Sequence, residues 1–217
     1  MHTARLTDGR SFPIGKIVCV GRNYAEHIRE LGNESPTQPV IFMKPASAVI
    51  GDGEQIRIPL YSDDCHHEVE LALLMGRRAS SISADQALSG IAGYGVAIDL
   101  TLRDVQSRLK EKGLPWEISK GFDTSCPLSS FVPASQISDP HDLRLILEVN
   151  GQQRQDGSSS QMITRIPELL AYISSIFTLE EGDVILTGTP AGVSAIKSGD
   201  TVQATIEGVA TLTVTVA

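Results

Sequence analysis

The stretch His67-Glu68-Val69-Glu70-Leu71-Ala72-Leu73-Leu74 reads as a strand of the protein interior with two carboxylates set into it. Side chains two apart on a strand share a face, with their Cα atoms roughly 6.5 Å apart. Glu68 and Glu70 therefore project side by side, while Val69, Leu71 and Leu73 point the other way. Two like charges among apolar neighbours raise each other's pKa and carry a desolvation cost unless something compensates them. The residues alone leave two readings. Either the strand lies at a sheet edge with both carboxylates solvated, or it is buried and a divalent cation balances the pair, because buried carboxylates are normally paired or coordinating.

Working outward, most segments are strands. Residues 16–20, 40–43 and 55–58 are short apolar runs, the last after a Gly51-Asp52-Gly53 turn. Residues 93–100, 143–149, 183–186, 201–207 and 209–216 add five more. Asn150-Gly151 supplies a hairpin turn, and Gly208 joins the last two. Helices are fewer. Ser83 opens one to about Gly90, Thr101-Leu102-Arg103-Asp104 has capping-box form and starts another that stops at Gly113, and residues 166–177 have helical periodicity. Strands mostly follow one another without a helix of crossover length, so the expected class is α+β with a dominant antiparallel or mixed sheet. Gly93-Tyr94-Gly95 continues as a strand where a dinucleotide fingerprint needs a helix, and no G-x-S-x-G, Walker A or H-E-x-x-H pattern occurs.

The 217 residues suit one catalytic domain, with the first 50 or so integral to it. A net charge of −8 argues against a nucleic-acid groove or a polybasic membrane patch. A small anionic substrate remains compatible, because a local pocket of Arg, Lys and metal overrides the global sign. Cys19, Cys65 and Cys126 are odd in number and widely spaced, which fits a reducing compartment better than a disulfide framework. No secretory leader is recognisable in the first fifteen residues, and no apolar run approaches the ~18 residues that span a bilayer. A cytoplasmic location is expected.

Asp99 closes the strand 93–100 just before a helix, either as a cleft carboxylate or as a helix-proximal cap. With Glu68 and Glu70 it would form an all-oxygen, triply anionic site, which favours Mg²⁺, Mn²⁺ or Ca²⁺ over zinc. Alternation places Cys65 and His67 on the opposite face, so only His66 of that trio could join, and the three read as neighbours of the site. Residues 24–31 read as a short helix, with Asn23 as N-cap, Glu26 completing a capping box and Gly32 as the stop. His27 and Glu30 fall on one face at i, i+3, as an incidental surface pair or as an oriented base.

Six segments taken in order resemble the fumarylacetoacetate hydrolase family, in particular its short members. They are Gly21-Arg22-Asn23-Tyr24-Ala25-Glu26-His27, Phe42-Met43-Lys44-Pro45, His67-Glu68-Val69-Glu70-Leu71, Asp99-Leu100-Thr101-Leu102-Arg103-Asp104-Val105-Gln106, Ser119-Lys120-Gly121-Phe122-Asp123 and Leu186-Thr187-Gly188-Thr189-Pro190. The resemblance implies a mixed β-roll or β-sandwich, usually dimeric, with Mg²⁺ or Mn²⁺ on Glu68, Glu70 and Asp99. It implies that His27 and Glu30 form a water-activating base on a lid. Arg103, Gln106, Lys120 and Thr189 then hold the substrate's carboxylate and oxo groups, and Lys120 also serves a developing oxyanion. Glu26 stays outside the metal set, since capping accounts for it.

The reading that follows is a metal-dependent hydrolase of 3-acylpyruvates such as fumarylpyruvate or acetylpyruvate. Decarboxylation or keto–enol tautomerisation of oxaloacetate, or dienoate isomerisation, is the alternative on the same metal site. A non-catalytic binding module for metal or keto acid is the rival of another class. The expected partners are a small keto acid and a second copy of the chain, with no nucleic acid and no membrane.

Overall fold

The computed structural model describes residues 2–32 and 34–217. Its centre is a six-stranded sheet in the order Val132–Pro133, Ile91–Ile98, Val69–Met75, Val184–Leu186, Lys16–Gly21 and Val40–Pro45. A five-stranded sheet runs Gln152–Ser158, Arg144–Val149, Thr201–Ile206, Ala210–Val216, Gln55–Ile56. A small sheet of Thr101–Leu102, Cys65–His67 and Ser194–Ile196 lies beside the start of Val69–Met75. Most pairings are antiparallel, but Val184–Leu186 runs parallel to Lys16–Gly21, and Ala210–Val216 parallel to Gln55–Ile56. The class is α+β, as the spacing of strands and helices indicates.

The edge reading of the carboxylate strand does not survive. Val69–Met75 is flanked by Ile91–Ile98 on one side and Val184–Leu186 on the other. Every residue in it is buried. Val69, Leu71, Leu73 and Met75 feed the larger hydrophobic cluster, while Ala72 and Leu74 belong to a second cluster on the opposite face. Glu70 shares that second face, and so it is locked inside the protein. The chain breaks at Glu68, passing from the small sheet into the large one, so the eight-residue stretch is two strands and not one.

Helices form close to their expected places: Ala84–Ala87 with a 3₁₀ turn to Gly90, Arg103–Glu111 and Ile166–Ile176. Ser83 and Gln86 make a true capping box. The two expected capping boxes do not form. The helix Ala25–Glu30 begins after Tyr24 with no side-chain cap, because the Asn23 amide is spent on longer contacts. It accepts from Thr164 N–H at 2.8 Å and donates to the carbonyls of Thr187 at 2.8 Å and Thr164 at 3.1 Å. Glu26 is left at the surface, 3.8 Å from Arg29. Likewise Thr101 lies in a strand and leaves Arg103–Glu111 uncapped, and Asp104 accepts from the Ser62 hydroxyl instead. In both places a tertiary acceptor or donor outcompetes a local cap of about 1 kcal/mol.

The Asn150-Gly151 turn is a two-residue hairpin with both residues at positive φ, 53° and 73°, joining Arg144–Val149 to Gln152–Ser158. A bulge follows, since Leu147 pairs with Gln155 and Glu148 with Gln153, leaving Arg154 as the extra residue. The three cysteines are free and buried. No described helix is long and apolar enough to cross a membrane.

Candidate metal centre and active site

Register brings the third carboxylate to the first two. Val69 pairs with Ile98, so the next step of the ladder sets Glu68 opposite Asp99, and Asp99 N–H donates to the Glu68 carbonyl at 2.8 Å. Carboxylate oxygens of Glu68, Glu70 and Asp99 lie within 4.8 Å of one another, and all three residues are buried. Glu70 accepts from the Gly188 N–H at 2.6 Å.

Three cations face this cluster. Lys120, at the end of the short helix Glu117–Lys120, donates to Glu68 at 2.9 Å and to Asp99 at 2.7 Å. Its ammonium also sits 4.7 Å from the Phe42 ring centroid. Arg103 pairs with Glu68 and donates to Gln106 at 2.8 Å. Lys44, fully enclosed, lies 2.8 Å from Asp99 Oδ1 and donates to the Leu100 and Ser125 carbonyls at 3.1 and 3.0 Å. The charges are apportioned unevenly. Burial pushes Glu68 upward, but the Lys120 ammonium and the Arg103 guanidinium outweigh it and hold its carboxyl well below the usual range. Among the described residues no cation pairs with Glu70, so burial and then the Asp99 and Glu68 carboxylates push it well above. Burial would lower the Lys120 ammonium, yet Asp99 and Glu68 outweigh that and raise it.

This donor set fits a hard divalent cation. Asp99 Oδ1 is the deciding atom. It is buried and accepts no hydrogen bond, since Lys44 approaches it closely but at an angle that does not make one. A buried carboxylate oxygen with a spare lone pair, close to two further carboxylates, is what a Mg²⁺ or Mn²⁺ ligand presents. Cys65, His66 and His67 stay out of the set: alternation turns Cys65 and His67 away, while His66, which it leaves able to join, is held elsewhere in the fold. His66 lies 2.9 Å from Asp64, and His67 contacts Gln155 and Ser194. Burial lowers the His67 pKa to about 4, which keeps the ring neutral.

A cavity of about 240 Å³ opens beside the cluster, and His27, Glu68, Arg103, Gln106 and Lys120 line it together with Phe42 and Trp116. His27 is buried, and its Nδ1 lies 3.3 Å from Glu30. Glu30 in turn accepts from Gly192 N–H at 3.0 Å, which ties the helix Ala25–Glu30 to the loop after Val184–Leu186. Thr189 lies on that same loop, one residue past the amide that serves Glu70. Gly188, at φ +97°, must be glycine: a Cβ there would come within 2.8 Å of Asn23 Cβ.

The sequence profile of the Fumarylacetoacetate (FAA) hydrolase C-terminal family matches residues 16–217. The chain belongs to the fumarylacetoacetate hydrolase family. It is 51% identical over 193 residues to the Bos taurus protein named oxaloacetate tautomerase FAHD1, mitochondrial, covering 89% of this chain and 87% of that one. It is 50% identical over 198 residues to oxaloacetate tautomerase YcgM of Escherichia coli (strain K12), covering 91% and 90%. Among solved structures, fumarylpyruvate hydrolase from Pseudomonas aeruginosa in complex with Mn²⁺ and pyruvate superposes with a TM-score of 0.96 at 36% identity, over 100% of this chain and 95% of that one. For a member of this family of enzymes, a divalent metal on the buried Glu-Glu-Asp cluster agrees with that Mn²⁺ complex. The curated relatives favour the oxaloacetate alternative over acylpyruvate hydrolysis as the leading reading.

Sequence reasoning did not single out Lys44 or Gln155. Lys44 stands in an apolar strand, Val40–Pro45, and a lysine there is itself the missed signal, because a buried ammonium demands buried acceptors. Gln155 carries no signal at all, since it stands in the polar run Gln152-Gln153-Arg154-Gln155-Asp156.

Proposed function

We propose that this protein is a divalent-metal-dependent keto–enol tautomerase of oxaloacetate or a closely similar 2-oxo dicarboxylate. The observation that carries this reading is the sharing of one cavity by a base, His27, and by Arg103, Gln106, Lys120 and Glu68. The names of the half-identical relatives supply the substrate.

Glu68, Glu70 and Asp99 would hold a divalent cation, which would supply Lewis-acid polarisation of the 2-oxo acid. Arg103 suits a carboxylate, and Lys120 offers a point charge to the 2-oxygen as it gains negative charge. With Nδ1 turned toward Glu30, Nε2 is the ring nitrogen left to exchange a proton with substrate. His27 takes a proton from C3 and returns it to the 2-oxygen, giving the enol, and the reverse transfers regenerate the ketone. No carbon–carbon bond breaks and no water is consumed.

Hydrolysis of 3-acylpyruvates is a second reading, supported by the His27–Glu30 pair and by the fold shared with a fumarylpyruvate hydrolase. There His27 takes its proton from water, which attacks the distal carbonyl, and the C3–C4 bond breaks to release pyruvate and a carboxylic acid. The two readings separate in one experiment. Decay of the oxaloacetate enol is followed by ultraviolet absorbance, and pyruvate release from acetylpyruvate by a coupled assay, each with Mg²⁺ and with Mn²⁺. Faster catalysis of enol decay than of acetylpyruvate cleavage is expected. The reverse order favours the hydrolase, and metal binding with neither activity would leave a binding module.

A further inference from the structure

Gln155 is wholly buried on Gln152–Ser158, a strand whose other residues are exposed or half-buried. The bulge at Arg154 turns it inward, beneath the loop that carries Gly188 and Thr189. Gly192 of that loop, at φ +100°, lies so close to the bulge that a Cβ there would collide with the Arg154 carbonyl oxygen. Two backbone groups fix which way the Gln155 amide faces. Val69 N–H donates to Oε1 at 3.1 Å, and Nε2 donates to the Pro190 carbonyl at 2.9 Å. An amide nitrogen has two hydrogens and no acceptor capacity, so the second goes to Thr189 Oγ1, 2.8 Å away. His67 Nδ1, 3.0 Å from Oε1, must then donate as well, which braces the amide from its other end.

The consequence falls on Thr189. Its hydroxyl oxygen is an acceptor toward Gln155, so its own hydrogen must point elsewhere. Among the described residues no hydrogen bond from that hydroxyl to a protein acceptor forms, although Thr189 is only 3% exposed. A buried hydroxyl whose hydrogen is unspent is a donor held ready for a ligand. The adjacent Gly188 amide already serves Glu70, which places this donor at the edge of the carboxylate cluster.

We infer that Gln155 is a positioning residue that directs the Thr189 hydroxyl hydrogen away from itself and toward an anionic oxygen of a 2-oxo carboxylate. The inference rests on the reading of the site as a 2-oxo-acid site. Pyruvate binding to the Mn²⁺-loaded protein, measured by calorimetry, tests it apart from turnover. Thr189→Val keeps the shape and removes the hydroxyl. It should weaken pyruvate by about tenfold or more, the usual worth of a hydrogen bond to a charged group, and leave Mn²⁺ affinity unchanged. Thr189→Ser should restore the affinity. Gln155→Glu presents an acceptor where Nε2 stood and draws the Thr189 hydrogen to itself, so it should lose pyruvate affinity to the same extent. The double variant should be no worse than Thr189→Val alone. If Gln155→Glu folds poorly, Gln155→Met removes the amide without adding charge and should show a smaller loss that vanishes in the Thr189→Val background. Wild-type pyruvate affinity in either folded Gln155 variant, or additive losses in the double variant, overturns the inference. A parallel loss of Mn²⁺ affinity would mean that Gln155 merely supports the fold, which also overturns it. Wild-type protein that binds pyruvate but does not tautomerise oxaloacetate would instead refute the proposed function and leave this inference standing.

Discussion

Replacing Glu70 by glutamine should make the metal-free protein more stable and the metal-loaded protein less responsive. Each of the other two carboxylates offers an oxygen within 4.8 Å of Glu70. At that separation and an effective dielectric of about 20, two unit charges repel by about 3.5 kcal/mol. Lys120 offsets part of the summed repulsion from two neighbours, so a net gain on the order of 3 kcal/mol is expected when Glu70 is ionised. The glutamine would keep a carbonyl for the Gly188 amide, so no donor is orphaned. For a chain of this size each kcal/mol moves Tm by about 2–4 °C, which gives about 6–12 °C. The pH dependence has a definite sign. Glu70 titrates well above its ordinary 4.5, so the folded state holds the proton more tightly. Wild-type stability is therefore full below about pH 4.5 and falls as pH rises through the raised value, and the advantage of the variant grows over that same window. Mn²⁺ at a thousand times its Kd reverses the order, since a ligand at that excess stabilises the folded state by about 4.1 kcal/mol and the variant forfeits this. The assay is thermal unfolding at pH 5 and pH 8, in EDTA and in MnCl₂, at one protein concentration. A variant less stable than wild type in EDTA at pH 8, or one with a full Mn²⁺ shift, would refute the assignment of Glu70 as a charge-frustrated ligand.

His27→Ala should lower kcat for oxaloacetate tautomerisation by about 10²–10⁴-fold, the usual worth of a general base, with Mn²⁺ affinity by calorimetry unchanged. Glu30→Gln should lose less, because it keeps the shape and removes only the orienting charge. Lys44→Met breaks a buried ion pair and should cost about 3–5 kcal/mol in urea unfolding at neutral pH. Gly188→Ala places a Cβ 2.8 Å from Asn23 at a left-handed φ and should abolish Mn²⁺ binding, read by calorimetry, through displacement of the amide that serves Glu70. We further propose that the chain forms a homodimer, which light scattering should report as about twice its 23.3 kDa.

Alternation, a local property of the backbone, read along residues 67–74 sets Glu68 and Glu70 side by side, and the two carboxylates do meet although the strand breaks at Glu68. The same locality made the Asn150-Gly151 hairpin and the helix that Ser83 opens legible. What local rules could not supply was competition from distant partners. Asn23 and Thr101 have the composition of caps, yet Thr164 and Thr187 claim the first, and the strand Thr101–Leu102 claims the second. From the residues alone the strand itself stayed undecided between edge and interior. Only pairing on both sides buried it, and only the register of Val69 against Ile98 carried Asp99 to Glu68. The charge balance lies further still from the sequence. Lys120 and Arg103 reach Glu68 from separate elements, and so Glu68 is stabilised as an anion while Glu70, two residues away, is not. Which residues could bind a metal follows from the order of amino acids along the chain. Which of them carry an unrelieved charge follows from folding, because the field at a buried carboxylate depends on what comes within a few ångströms of it.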